Sequence, residues 1–307
     1  MTPAAHTEHA HAKINLLLRI LAREASGYHA IETLFQRLAL HDVVQVSVNQ
    51  GPSTLHCDGP AMPIAGLGAA TDNLAWRAAA AYARTAPWLA SWQIHIEKHI
   101  PVGGGLGGGS ADAAAVLRAL DALAPTPLGL ERLLDIAGTL GADVPFLTAP
   151  DALAWAWARG DRLLALPALP PMAVTLVTFA HGVNTGAAYT AVAAQRASGG
   201  AVATTAPLSA RRYGASAFMS WQAIAALTGN DFEDVVPALH DGVAAVLPAV
   251  KQVAEALRAA GHPAVGLMSG SGATCFVLHP PDAEITIPLP PGSRTVRTTT
   301  IAAPTGD

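Results

Sequence analysis

Pro101-Val102-Gly103-Gly104-Gly105-Leu106-Gly107-Gly108-Gly109-Ser110-Ala111-Asp112-Ala113-Ala114-Ala115 sets six glycines in seven residues directly before a serine and an alanine-rich helix former. Such a run builds core poorly. It suits a backbone that must close on an anion, because glycine has no Cβ to hold the chain away. A helix starting near Ser110 aims its unpaired N–H groups and the positive end of its dipole at the same point. The stretch reads as a phosphate-binding loop.

Two common nucleotide signatures do not fit. Gly103, Gly105 and Gly108 satisfy G-x-G-x-x-G, but a dinucleotide fold needs a following strand tipped by an acidic residue. Here Asp121 sits on a helix that Pro125 and Pro127 stop. No Gly-Lys-Ser/Thr follows, so the loop is not a Walker A loop either.

The flanks supply a strand and a helix. Ser91 to Ile100 alternates, with Trp92, Ile94, Ile96 and Lys98 on one face, and Ala111 to Leu123 leaves as a helix. Upstream, His11–Ile20, Ile31–Leu38 and His41–Val48 read as strands, with a short strand around Leu55. Thr71 or Asp72 would cap a helix over Leu74–Thr85. Downstream come a helix over Leu128–Leu140, a loop over 141–146, and strands over Leu153–Trp157 and Arg162–Leu166. Three prolines in 166–171 mark a domain boundary. Beyond it lie a strand over Ala173–Phe179, a helix over Ala187–Gln195 and a surface loop over 197–217. A short helix over Trp221–Leu227, a turn at Asn230–Glu233 and a helix over Pro248–Ala260 follow. A second glycine turn, Ser269 to Thr274, leads into a strand, and Thr295–Ile301 is the last strand.

Composition narrows the class. Hydrophobic residues at 51% against 13% charged give ample core, so the chain is globular. The mean hydropathy of +0.34 is inflated by alanine, and no run of about 18 apolar residues supports a membrane span. Met1–His11 is polar and does not look like a signal peptide. The two cysteines, Cys57 and Cys275, suit a reducing compartment. The net charge of −4 argues against nucleic-acid binding. A cytoplasmic protein acting on a small molecule, with no nucleic-acid or membrane partner, is expected as a monomer or homodimer.

Several residues carry more than one reading on their own. Asp143 is either a turn aspartate making a local bond or a base for an alcohol. Lys13, two residues from Asn15 on one strand face, is either an exposed lysine or a cation that keeps a carboxylate ionised. Ser110 is a helix N-cap, and also a hydroxyl within reach of phosphate or metal. Lys98 is a solvated lysine or a nucleotide neighbour. The twelve histidines show no metal-ligand spacing, and no metal ligands are assigned.

The glycine stretch resembles the phosphate-binding signature of the GHMP kinases, a superfamily of small-molecule kinases. Ala12-Lys13-Ile14-Asn15-Leu16, Ser26-Gly27-Tyr28-His29, Thr33-Leu34-Phe35-Gln36, Asp72-Asn73-Leu74, Gly141-Ala142-Asp143-Val144-Pro145-Phe146, Asn230-Asp231-Phe232-Glu233 and Ser269-Gly270-Ser271-Gly272-Ala273-Thr274 resemble one branch of it. That branch phosphorylates a cytidine diphosphate derivative of a sugar alcohol, for isoprenoid precursor synthesis. The matches run in order from about residue 11 to 278.

The resemblance implies an α+β, two-domain GHMP kinase fold. A ribosomal protein S5 domain 2-like domain would span 1–166 and bind ATP; a ferredoxin-like, substrate-binding domain would span 167–307. It implies ATP with Mg²⁺ as cofactors. Lys98, Pro101, Gly103, Gly104, Gly105, Leu106, Gly107, Gly108, Gly109 and Ser110 would hold ATP. Asp143 would be the catalytic base, paired with Lys13. Asn15, Tyr28, His29, Asp143, Thr185, Tyr189, Gly270, Ser271 and Gly272 would bind the acceptor. Tyr28 and Tyr189 would stack on cytosine, and His29 would hydrogen-bond its edge.

Two stretches depart from the family pattern. Ala158-Arg159-Gly160-Asp161 replaces the usual Gly-x-Gly before the acidic residue. His279 to Ser293 is too short and proline-rich for the helix usually found there. The rivals are another GHMP kinase, of the homoserine or mevalonate type, and a non-catalytic nucleotide sensor. The Ser-Gly-Tyr-His string argues against the first. The presence of both Lys13 and Asp143 argues against the second.

Overall fold

The computed structural model describes residues 5–23, 29–48, 51–198 and 213–302. Its first sheet is built on two long antiparallel strands, β1 (Ala5–Arg23) and β2 (His29–Val48). The two shorter strands expected over 31–48 are one continuous strand. Leu38, Val44 and Val46 bury to 0% along it, and Leu40 packs against the same core.

β3 (Thr54–Asp58) and β4 (Trp92–Glu97) are parallel to each other, and β4 pairs with the C-terminal end of β2. The other end of β2 pairs with β5 (Leu153–Ala158), which carries β6 (Arg162–Ala165) as a hairpin.

Four helices cover this sheet. α1 (Leu74–Thr85) buries Ala75, Ala78, Ala79 and Tyr82, the i, i+3, i+4, i+7 stripe of one face. Asn73 caps it, accepting from Ala75 N at 2.9 Å, so neither Thr71 nor Asp72 is the cap. α2 (Gly108–Leu123) is buried almost all round, because its alanines let β1 and α1 approach closely. α3 (Leu130–Leu140) follows the prolines. α4 (Val144–Thr148) occupies part of what was expected to be a loop: Pro145 sits in its first turn, where a missing N–H costs nothing.

The second sheet is antiparallel, in the order β11-β7-β10-β9. Its strands are β7 (Ala173–Phe179), β9 (Val265–Met268), β10 (Cys275–His279) and β11 (Ser293–Thr299). α5 (Thr185–Ala197) and α7 (Asp241–Ala259) lie against one face, and α6 (Trp221–Ala225) lies between them in sequence. α7 begins seven residues before Pro248, capped by His240, which accepts from Val243 N at 3.2 Å. Proline is thus inside the helix rather than at its start. The segment over 280–292 has no helix, as its prolines imply, and Ile287 packs onto the helix-covered core instead. Of the expected loop over 197–217, residues 199–212 lie outside the described residues.

The two sheets share a core. Strand alternation sends Val174, Leu176, Leu267, Phe276 and Leu278 to the face that joins the first core. Val177, Cys275 and Val277 face α5 and α7. A two-residue strand, β8 (Gly229–Asn230), crosses back and pairs in parallel with Leu17 and Leu18 of β1.

Candidate active site

The glycine loop runs from β4 into α2. Gly103, Gly105 and Gly107 have φ of 75°, 76° and 74°, the left-handed region glycine tolerates. α2 starts at Gly108 with Gly107 at its N-cap, so Ser110 lies in the first turn and is not the cap. The second glycine turn packs on this loop. Thr274 N donates to Gly104 O at 3.2 Å, and Ser269 Oγ to Gly105 O at 2.9 Å. A Cβ on Gly105 would lie 2.2 Å from Ser269 O, so no larger residue fits there. The loop residues 101–110 line a cavity of about 360 Å³ together with Asn73, Leu74 and Leu67.

Lys13 lies beneath the loop. The β1–β2 register breaks between His11 and Lys13, and the Lys13 N–H turns to Leu106 O at 3.0 Å. This irregularity joins the strand to the loop. The Lys13 ammonium donates to Asn15 Oδ1 at 2.7 Å and Gly105 O at 3.0 Å, and lies 3.3 Å from Asp143 Oδ2. Asn15 is held in turn by Thr33: Asn15 Nδ2 donates to Thr33 Oγ1 at 2.7 Å, and that hydroxyl donates to Leu17 O at 2.6 Å. Lys13 is only 3% exposed, whereas the Asp143 side chain is 30% exposed. Asp143 stands at the N-cap position of α4 without capping it. Its carboxylate therefore faces both the lysine and open space.

That space is a second cavity, of about 900 Å³, lined by Lys13, Asn15, His29, Asp143, Thr185 and Tyr189 among others. The two cavities share Gly105, Gly107 and Ser110. A group entering one meets a group entering the other at the start of α2. The His29 and Tyr189 rings lie parallel, 10° apart, with centroids 4.5 Å apart. Burial, then the Asp143 charge, pushes the Tyr189 phenol up to about 12, so it stays neutral. Thr185 Oγ1 and Ser271 Oγ are 2.8 Å apart, and Gly270 completes this wall. Tyr28 lies outside the described residues. Gly272 is not in the wall; its α-carbon faces Met268 Sδ and Val236.

Lys98, expected near the nucleotide, lines the smaller cavity beneath the glycine loop. It is 2% exposed, and its ammonium bonds Asp42 and, at 2.6 Å, Asp112 Oδ2. The same Asp42 accepts from Ile100 N at 2.7 Å. The inward face of β4 continues through Lys98, so the side chain lies under the loop and its charge is already matched. Burial opposes that charge, but the two carboxylates outweigh it and hold the Lys98 pKa above the usual lysine value. Burial, against the opposing pull of Lys98, pushes Asp112 up to about 7.

Other supporting residues were given no individual role by the sequence. Asn230 Nδ2 donates to Met268 O at 2.7 Å and Gly270 O at 2.8 Å, and Glu233 accepts from Met268 N at 2.7 Å. These bonds hold the second turn against the first. Arg159, Asp161 and Phe232 also line the larger cavity. Only the Asn230–Glu233 string, matched as a whole, pointed toward this region.

A glycine loop opening a helix, a lysine–aspartate pair beyond it and a cleft between two α+β units are the parts of a GHMP small-molecule kinase. Family models agree: GHMP kinases N terminal domain matches residues 73–149, and GHMP kinases C terminal matches 221–287. The 4-diphosphocytidyl-2-C-methyl-D-erythritol kinase of Paracoccus denitrificans (strain Pd 1222) is 38% identical over 92% of this chain and 90% of its own. That of Desulfitobacterium hafniense (strain Y51) is 34% identical over 87% and 84%. A crystal structure of 4-(cytidine 5'-diphospho)-2C-methyl-D-erythritol kinase, 33% identical, superposes with a TM-score of 0.66 over 96% of this chain and 99% of that one. The chain belongs to the 4-diphosphocytidyl-2-C-methyl-D-erythritol kinase family.

Proposed function

We propose that the chain transfers the γ-phosphoryl group of ATP to the 2-hydroxyl of 4-diphosphocytidyl-2-C-methyl-D-erythritol, giving the 2-phosphate and ADP on the route to isoprenoid precursors. The observation that carries the mechanism is the Lys13–Asp143 pair, which faces the larger cavity where it meets the glycine loop.

ATP phosphates lie on Gly103–Ser110, with Pro101 and Leu106 shaping the loop. N–H groups at the start of α2 meet the charge that develops on transfer. The acceptor lies across the 900 Å³ cavity, its alcohol at Asp143. Asp143 takes the hydroxyl proton, the oxygen bonds to the γ-phosphorus, and the bond from that phosphorus to the β–γ bridging oxygen breaks. Lys13 sets its ammonium beside the Asp143 carboxylate, and Asn15 fixes Lys13. Mg²⁺ fits beside the first turn of α2, where the Ser110 hydroxyl and phosphate oxygens offer hard ligands, and it would neutralise phosphate charge. Thr185, Gly270 and Ser271 hold the acceptor's diphosphate. The His29–Tyr189 contact leaves no room for a third ring between them. Cytosine therefore parts them and stacks on Tyr189, with Tyr28 as the second stacking ring, and His29 turns to the base edge.

We take residues 1–166 and 167–307 as the two domains, with the cytoplasm as the working compartment. Prolines over 167–171 precede β7, which supports that boundary. Among the described residues no helix is long and apolar enough to cross a membrane.

A substrate panel tests the reading. ADP release should require the cytidylyl alcohol and not occur with homoserine or mevalonate. Turnover of either of those in its place contradicts it.

A further inference from the structure

Although the histidines show no ligand spacing along the chain, the pairing of β3 with β4 gathers three side chains on the outer face of the first sheet. His56 stands opposite His95 in the parallel register, and Asp58 lies two residues beyond His56. All three therefore project from one face, while Ile94 and Ile96 fill the other. Asp58 Oδ2 is 2.9 Å from His95 Nε2 and 3.4 Å from His56 Nε2. The two imidazoles are 12° from parallel, with centroids 5.5 Å apart. One ligand atom from each residue lies within 4.8 Å of those of the other two.

We propose that His56, Asp58 and His95 bind a divalent transition-metal ion of the zinc, nickel or copper class. Two imidazole nitrogens and one carboxylate oxygen suit these cations, whereas Mg²⁺ and Ca²⁺ prefer oxygen ligands throughout. Donors placed tetrahedrally around one zinc ion stand about 3.3 Å apart, close to the 2.9 and 3.4 Å seen here. The ion takes the place of the protons that the imidazoles share with Asp58.

The side chains are 71%, 50% and 44% exposed for His56, Asp58 and His95, so an ion enters without opening the fold, and water completes its coordination. Its role is structural. β3 is the edge strand of the sheet, and the ion would staple it to β4. Asp58 O accepts from Lys98 N at 2.7 Å, so the staple closes at the root of the glycine loop. It is separate from the Mg²⁺ that accompanies ATP.

Calorimetric titration of the full chain with zinc chloride at pH 7.5, with thermal unfolding in parallel, tests this. The parent should bind zinc saturably and gain thermal stability. His56→Asn and His95→Asn should each weaken that site by more than about tenfold and lose the stabilisation, while keeping kinase activity. His9→Asn, in the separate His9–His11–His41 ring cluster, should leave the site intact. Absence of saturable zinc binding by the parent, equal binding by parent and His95→Asn, or loss of the site in His9→Asn overturns the proposal.

Discussion

The Lys13 ammonium stands 3.3 Å from Asp143 Oδ2 while also donating to Asn15 and to Gly105 O. One buried cation thus joins a strand, the glycine loop and the carboxylate at the cleft. Burying an ammonium is costly unless it is paired and hydrogen-bonded, and Lys13 meets both conditions. The position of the Asp143 carboxylate is therefore tied to that of the glycine loop.

Replacing Lys13 should disable chemistry more than binding. Lys13→Ala is expected to lower kcat by about 10²-fold or more. Lys13→Arg should not restore it, because a planar guanidinium cannot reproduce a compact ammonium whose methylene stem packs against Gly107. Steady-state kinetics with the cytidylyl alcohol check both variants.

The Tyr189 ring should act on acceptor affinity. Base stacking contributes about 1–3 kcal/mol per base. Tyr189→Ala is therefore expected to raise KM for the cytidylyl substrate by roughly 5- to 150-fold, with KM for ATP little changed. An equal rise for both substrates contradicts the assignment.

Gly105 should tolerate no side chain. Its Cβ would meet Ser269 O at 2.2 Å, at a φ of 76°. Gly105→Ala should separate the two glycine turns, destabilise the fold by about 2 kcal/mol or more and raise KM for ATP. Thermal unfolding and ATP titration measure the two effects.

The Lys98 network gives a pH-dependent prediction. Lys98→Met strands Asp42 and Asp112 without their cation, costing about 3–5 kcal/mol at pH 8. The Asp112 carboxyl, raised by burial to about 7, stays protonated in the fold while it ionises in the unfolded chain. Without Lys98, which pulls it down, that carboxyl is raised further, so the variant loses stability relative to the parent as pH rises above about 7. The Lys98→Met deficit should shrink at pH 5.5. An unchanged melting temperature at pH 8 with KM for ATP raised about tenfold would instead make Lys98 a nucleotide ligand.

Elements with strong local signals were legible in the chain itself. Leu74–Thr85 and Ala173–Phe179 have the expected bounds, because a one-sided alanine stripe and an unbroken apolar run each admit one structure. Misreadings arose where a local rule met tertiary packing. Pro248 looked like a helix start, yet the surrounding Val243, Val246, Leu247 and Val250 stripe carries the helix through it. The two aspartates that pair with Lys98 were not legible, because strand alternation gives only the face of that side chain, which lines the loop cavity. Asp42 lies 56 residues away and Asp112 lies 14. His56 and His95 showed nothing at all, since only the parallel register of β3 and β4 makes them neighbours.

The measurement that bears most directly on the mechanism is turnover and ATP affinity of Asp143→Asn, a nearly isosteric change at a half-exposed site. The account predicts a fall in kcat of about 10²- to 10⁴-fold, the usual worth of a general base, with ATP binding and melting temperature close to the parent. Full activity in that variant would contradict the assignment of Asp143 as the group that takes the proton.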